Sequence, residues 1–177
     1  MNKETFKKTE RMLKRYYYNL RNIESLRNTC NRLERQKEEI TRDIKETNIS
    51  LPLESISISY SDKVQTSNQS SYCDRAIEHE ITKLINERKM IIKRILKNKA
   101  KIRQIENEIE PIRDKINRLL KLSQSPEEIE MFIELKYKKH KTIPCIAAIM
   151  YGGAKATAYR RNKEILESIN QFDKVIS

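Results

Sequence analysis

Between Ile81 and Leu119 one series of residues recurs at alternating steps of three and four. It reads Ile81, Leu84, Arg88, Ile91, Ile95, Asn98, Ile102, Ile105, Ile109, Ile112, Ile116 and Leu119. Sustained over more than five heptads, this spacing puts all of these side chains on one face of a long helix and requires a second helix to cover them. Arg88 and Asn98 are the polar members, and polar residues at such positions commonly fix register. Pro111 removes one backbone donor, which predicts a kink or a break near Glu110.

A partner for that face lies upstream. Residues 3 to about 47 contain no Gly or Pro. Leu13, Tyr16, Leu20, Ile23, Leu26, Cys30, Leu33, Lys37, Ile40 and Ile44 again step by three or four. Two consecutive steps of three, at Ile23 and Leu26, interrupt a strict heptad and locally overwind it. Charges fill the other faces, as in Glu34-Arg35-Gln36-Lys37-Glu38-Glu39. Residues 49–74 differ: eight serines and Pro52 crowd a stretch of net charge −2. Such a segment lacks the apolar surface to offset ordering entropy, so a loop or linker is expected. Ile56 to Tyr60 alternates with period two, as a short strand would. The two long helices can fold back as an antiparallel hairpin roughly 60 Å long, or dimerise through the same seam.

Composition narrows the function classes. The 177 residues carry 37 Lys and Arg against 25 Asp and Glu, a net charge of +12, with 35% charged residues and only two glycines. A doubly wound α/β enzyme, a β-sandwich or a Gly-rich nucleotide-binding fold needs many more turn residues. Cys30, Cys73 and Cys145 are not at metal or redox spacing, and His79 and His140 lie 61 positions apart. No zinc site, and no metal or other cofactor, is therefore expected. No Ser or Cys has a His at motif spacing, and Arg160 with Arg161 beside Tyr159 does not make the residue set of a tyrosine recombinase, so no catalytic residues are expected and the chain reads as a non-enzyme. There is no long apolar run and no leader-like start, which predicts a protein of the cytoplasm without a membrane partner.

The last fifty residues change character. Ser125-Pro126-Glu127-Glu128 has the form of a helix start in which Ser125 caps and Glu128 completes a capping box. Ile129, Phe132, Ile133 and Leu135 supply an apolar face, followed by the basic run Lys136 to Lys141. Thr142 and Pro144 open a further helix to about Met150, with Ile146, Ala147 and Met150 inward. Gly152-Gly153, the only glycine pair, supplies a positive-φ turn. A last helix begins at Ala154-Lys155-Ala156-Thr157 and runs through Tyr159, Arg160, Arg161 and Lys163 to Ile165 and Leu166. Helix, glycine turn, and a helix that opens with small and basic residues is the layout of a helix-turn-helix. Ala147 and Ala158 are small where the two helices would cross. Small residues at 154 and 156 let the helix N-terminus enter a major groove. From 136 to 163 there are eight Lys and Arg and no Asp or Glu, the charge signature of a nucleic-acid surface.

Leu135-Lys136-Tyr137, Ile146-Ala147-Ala148-Ile149-Met150 and Thr157-Ala158-Tyr159-Arg160-Arg161-Asn162-Lys163 resemble region four of bacterial sigma factors. More narrowly they resemble the sigma-like phage and prophage late-transcription regulators of the ArpU and RinA type. The likeness covers about residues 125–170 and is only architectural over the long helices. One departure is visible: Tyr151 stands between the last apolar residue of the first helix and the glycine, and Ala154 occupies a position where the pattern has Ser. The resemblance implies a transcription regulator of phage or prophage origin in a bacterial host cytoplasm. It would bind double-stranded promoter DNA and contact RNA polymerase.

The expected architecture is therefore all-α. A helical hairpin or coiled coil over 1–122, with its linker at about 49–74, precedes a helix-turn-helix domain over 125–177. The expected DNA-binding residues are Lys138, Lys139, Lys141, Ala154, Lys155, Ala156, Thr157, Tyr159, Arg160, Arg161 and Lys163. Lys155 and Thr157 would reach base edges, while Arg160, Arg161 and Lys163 would meet phosphate. Two other readings fit parts of the same pattern: the DNA-recognition small subunit of a phage packaging terminase, and a structural coiled coil whose basic tail binds nucleic acid without sequence preference. A second basic run, Arg88 to Arg103, has eight cations and no anion. It reads either as a solvated flank or as a further nucleic-acid or polymerase contact. Tyr16-Tyr17-Tyr18 points in three directions around its helix, so at least one ring should be buried.

Overall fold

A computed structural model of the chain describes residues 3–46, 48 and 72–174. The expected Ser-rich linker lies outside them apart from its last residues, which begin a helix; the strand-like Ile56 to Tyr60 lies outside them altogether. The protein is all-α, with helices α1 (Lys3–Glu46), α2 (Tyr72–Leu122), α3 (Pro126–Ile133), α4 (Ile143–Met150) and α5 (Lys155–Lys174), and a π-helical turn at Glu134–Lys138. α1 and α2 are antiparallel. Glu4 and Asp74 occupy their first turns and Lys45 and Lys121 their last, as the helix dipoles favour.

Every one of the twelve positions of the 81–119 series is buried or half-buried, including Arg88 and Asn98. The α1 series from Leu13 to Ile44 behaves in the same way. Of the two ways to cover the seam, the chain uses the hairpin. Of the kink or break expected near Glu110, the break is absent, because α2 is continuous from Tyr72 to Leu122 with Pro111 inside it. Pro111 and Asn107, whose carbonyl loses its helical donor, both sit on the exposed side. Water can satisfy that carbonyl, so the lost hydrogen bond does not force the helix apart.

Two compact units divide the chain, one formed by residues 26–101 and the other by 1–25 together with 102–177. In the first, Leu33, Ile40, Ile91 and Ile95 form the core, with Ile44 and Leu84 packed against it. Lys99 Nζ bridges to Glu34 Oε1 at 3.1 Å across the pair.

In the second unit the opening of α1 and the end of α2 pack together. Leu13, Tyr16 and Ile23 lie on one side and Ile109, Ile116 and Leu119 on the other, all buried. An Arg15–Glu108 ion pair at 2.9 Å joins the two helices. The C-terminal helices share this unit. Phe132, Ile133, Tyr137, Ile146, Ala147, Ala158, Leu166 and Ile169 are essentially without solvent exposure. The Tyr17 and Tyr137 rings stack at 6.4 Å between centroids and 9° between planes, attaching the π-helical turn to α1. Of the three consecutive tyrosines, Tyr16 is buried, Tyr17 half-buried and Tyr18 exposed.

Candidate nucleic-acid interface

α4 and α5 are joined by a turn built on its glycines. The carbonyl of Ala147 accepts from both Tyr151 N and Gly153 N at 2.9 Å, and Ala154 N donates to Tyr151 O at 3.0 Å. Gly152 and Gly153 sit at φ +56° and +92°, in backbone regions that side chains disfavour. Ala158 N donates to Ala154 O at 3.3 Å, so Ala154 is the residue from which α5 starts. Where α4 and α5 pack, Ala147 and Ala158 are fully buried, as their size requires for a close helix approach.

α5 divides cleanly by face. Ala158, Asn162, Ile165, Leu166 and Ile169 are buried, whereas Lys155, Ala156, Tyr159, Arg160 and Lys163 are exposed. The outward residues follow helical spacing, so three cations, one tyrosine and a small residue form a single stripe. Ala154 is exposed just before it and Thr157 is half-buried at its border. Arg160 approaches Glu164 only loosely, at 3.8 Å between exposed side chains. Lys139 and Lys141 are exposed near the start of α4. Lys138 is also exposed, but it donates to Glu134 Oε1 at 2.6 Å; that bond is the main reason the Glu134 carboxyl lies below its ordinary pKa.

Arg161 stands apart from the other expected contacts. Its Nη2 and Nε donate to the two oxygens of Glu128 at 2.6 and 3.1 Å, and Nη1 donates to Glu164 at 3.2 Å. Tyr151 Oη donates to Glu128 Oε1 at 2.7 Å. One carboxylate thereby ties α3, the turn and α5 together. The Arg161 hydrogen bonds hold the Glu128 carboxyl below its ordinary range. Burial first, then the bond to Glu128, pushes the Tyr151 hydroxyl up to about 12. This arrangement replaces the capping box expected at Ser125, which makes no side-chain capping bond. A guanidinium offers Glu128 two charged donors in a matching fork, against the single neutral amide of a capping box.

Lys136 is a second cation of the basic run that turns inward, with a side chain only 11% exposed. Its Nζ lies 3.2 Å from Glu10 Oε1, donates to Asn162 Oδ1 at 2.6 Å, and stands 5.1 Å from the centre of the Tyr137 ring. Burial pulls its pKa down, and Glu10 opposes that shift. The π-helical turn sorts the run. Leu135 and Tyr137 are buried, Lys136 is bonded inward, and Lys138, Lys139 and His140 are exposed. Lys139 N donates to Glu134 O and Lys141 N to Leu135 O, each at 2.9 Å, and His140 ends the turn at φ +53°. The pairing of Lys136 with Glu10 had no signal in the sequence, because the two lie more than a hundred residues apart.

An open cavity of about 470 Å³ lies beside α5, lined by Leu119, Ile129, Ile165, Arg161, Glu164 and Ser168 among others. Its two charged residues are bonded to each other. Among the described residues no group of three His, Cys, Asp or Glu could hold a metal ion, and no helix is long and apolar enough to cross a membrane. The chain matches no protein-family model, and no curated protein or solved structure matches it.

Proposed function

We propose that the chain is a sequence-specific DNA-binding regulator that inserts the N-terminal half of α5 into the major groove. The observation that carries this reading is the outward stripe of α5, in which Lys155, Tyr159, Arg160 and Lys163 are exposed beside the small Ala154 and Ala156. A helix with that face can approach base edges at its small N-terminal end while its later cations meet phosphate. Lys139 and Lys141 extend the phosphate contacts from the segment before α4. Arg161 serves the fold of the unit, since both carboxylates around it already occupy its donors. The likeness of residues 125–170 to sigma region four supports a promoter element as the target and RNA polymerase as a partner. It further supports a phage or prophage setting.

Selection from a random duplex pool by the purified chain tests this reading. One enriched motif is expected, and Lys155→Ala with Arg160→Ala should weaken binding to it by roughly 2–5 kcal/mol, the sum of one base-reading and one phosphate contact. Retention of DNA without enrichment, both alone and with polymerase added, would refute sequence-specific recognition.

A further inference from the structure

We infer that the outer face of α2 between Lys89 and Lys101 is a second DNA-binding surface, which grips the phosphate backbone of a duplex without reading its sequence. The inference concerns the unit of residues 26–101 and stands independently of the function proposed for α5.

Lys89, Lys93, Arg94, Lys97 and Lys101 are all exposed. None has an acidic partner among the described residues; the neighbouring Lys99 is the cation that pairs, with Glu34 towards the seam. Three consecutive i,i+4 pairs, 89 with 93, 93 with 97 and 97 with 101, are Lys with Lys. Like charges at this spacing oppose helix formation. Elsewhere on the two long helices cations are paired with carboxylates, as at Lys14–Glu10, Lys37–Glu34 and Lys83–Glu80. Solubility alone would be served by the same mixture here. An unmixed ridge is explained by a polyanion that supplies the missing charge.

The dimensions suit a duplex. Twelve helical steps from Lys89 to Lys101 rise about 18 Å, so neighbouring cations are on average about 4.5 Å apart along the helix, a step that long flexible stems can match to successive phosphates. The phosphates of one DNA strand advance about 3.4 Å along the axis per residue. An anionic membrane fits less well, because an interfacial helix needs its apolar face free to insert. Here Ile91 and Ile95 are buried against Leu33 and Ile40, and the apolar side chains left exposed, Met90, Ile92 and Leu96, are interspersed with the cations and do not form a separate face.

The test uses the full chain with Lys93→Gln, Arg94→Gln, Lys97→Gln and Lys101→Gln combined. Gln matches Lys and Arg in helix propensity, and these side chains are exposed, so helix content should be retained. Binding of a fluorescent duplex of random sequence is measured by anisotropy across a range of salt concentrations. The expected result is a slope of log affinity against log salt that is shallower by about 3, with binding weakened about tenfold or more at 0.1 M salt. Lys155→Ala with Arg160→Ala serves as the comparison: it should remove preference for a selected motif while leaving the ridge's share of the salt slope. If α5 does not bind DNA, the ridge effect still appears; if only the ridge reading fails, the motif preference survives in the four-fold variant. An unchanged slope in that variant would overturn the inference. So would an intact chain that fails to bind duplex, or a loss confined to phosphatidylserine vesicles or to an acidic protein.

Discussion

Glu128 and Arg161 are the place to measure what holds α5 in position. Replace Glu128 by Gln, Arg161 by Gln, and both together, and follow urea denaturation by circular dichroism and tyrosine fluorescence. The pair makes two charge-assisted hydrogen bonds at 2.6 and 3.1 Å between side chains about 30% exposed. A fully exposed pair would contribute roughly 0.2–1 kcal/mol, and a hydrogen bond to a charged group shielded from water about 1.5–3 kcal/mol. Partial exposure places the expected coupling energy between these ranges, at about 1.5 kcal/mol. Either single substitution should cost about 2 kcal/mol, since each also weakens a third contact, Tyr151 to Glu128 or Arg161 to Glu164. For a chain of this size that lowers Tm by roughly 4–8 °C. The pH dependence has a definite sign. Glu128 has a folded pKa below its ordinary 4.5, so its contribution is present above 4.5 and is lost as pH falls through the lower folded value. The deficit of Glu128→Gln relative to the parent should therefore shrink in acid. A coupling energy under about 0.3 kcal/mol, with DNA affinity falling as far for Arg161→Gln as for Arg160→Gln, would refute the structural assignment and return Arg161 to the phosphate contacts.

The turn and the core offer further tests. Gly153→Ala introduces a side chain at φ +92°, where nothing lies within 4 Å; the cost is backbone strain alone, about 1–2 kcal/mol in a denaturation midpoint, and no loss would contradict the turn geometry. Tyr137 buries a hydroxyl that finds no hydrogen-bond partner among the described residues. Tyr137→Phe should accordingly leave stability unchanged or raise it by about 1 kcal/mol, and a clear loss would mean that the hydroxyl is bonded. Ala158→Leu, at a fully buried site facing α4, should destabilise by about 1–3 kcal/mol through overpacking, as read from Tm.

Periodic features were legible in the sequence and long-range ones were not. The 81–119 series announced its buried face because a heptad repeats its own evidence, and even Arg88 and Asn98 fall on the seam. The turn at Gly152-Gly153 was readable because only glycine takes up those backbone angles without strain. The inward faces of α3 and α4 followed from Phe132, Ile133, Ile146 and Ala147 for the same reason as the seam. Arg161 stands three positions after Ala158 and four before Ile165, both buried, so its spacing alone turns it away from the outward stripe; what had no mark in the sequence is its partner Glu128, 33 positions earlier, in what has the form of a capping box. The π-helical turn at 134–138 has no compositional mark, and Lys136 looks no different from Lys138 until Glu10 and Asn162 are brought beside it. Of the α5 residues expected to reach DNA, Ala154, Lys155, Ala156, Tyr159, Arg160 and Lys163 are exposed, whereas Thr157 and Arg161 are half-buried.

The division of the chain also bears on the order in which it can fold during synthesis. Residues 26–101 are contiguous, so this unit has all of its core once α2 has been made as far as Lys101. The other unit is discontinuous: residues 1–25 emerge first, yet their partners, among them Tyr137 for Tyr17 and Lys136 for Glu10, arrive more than a hundred residues later. Leu13 and Tyr16 must therefore wait for Ile109, Ile116 and Leu119 at the end of α2, and Tyr17 longer still, for Tyr137, with their apolar surface uncovered in the meantime. The opening turns of α1 are thus made early and covered late, which is when a chaperone or a protease could reach them.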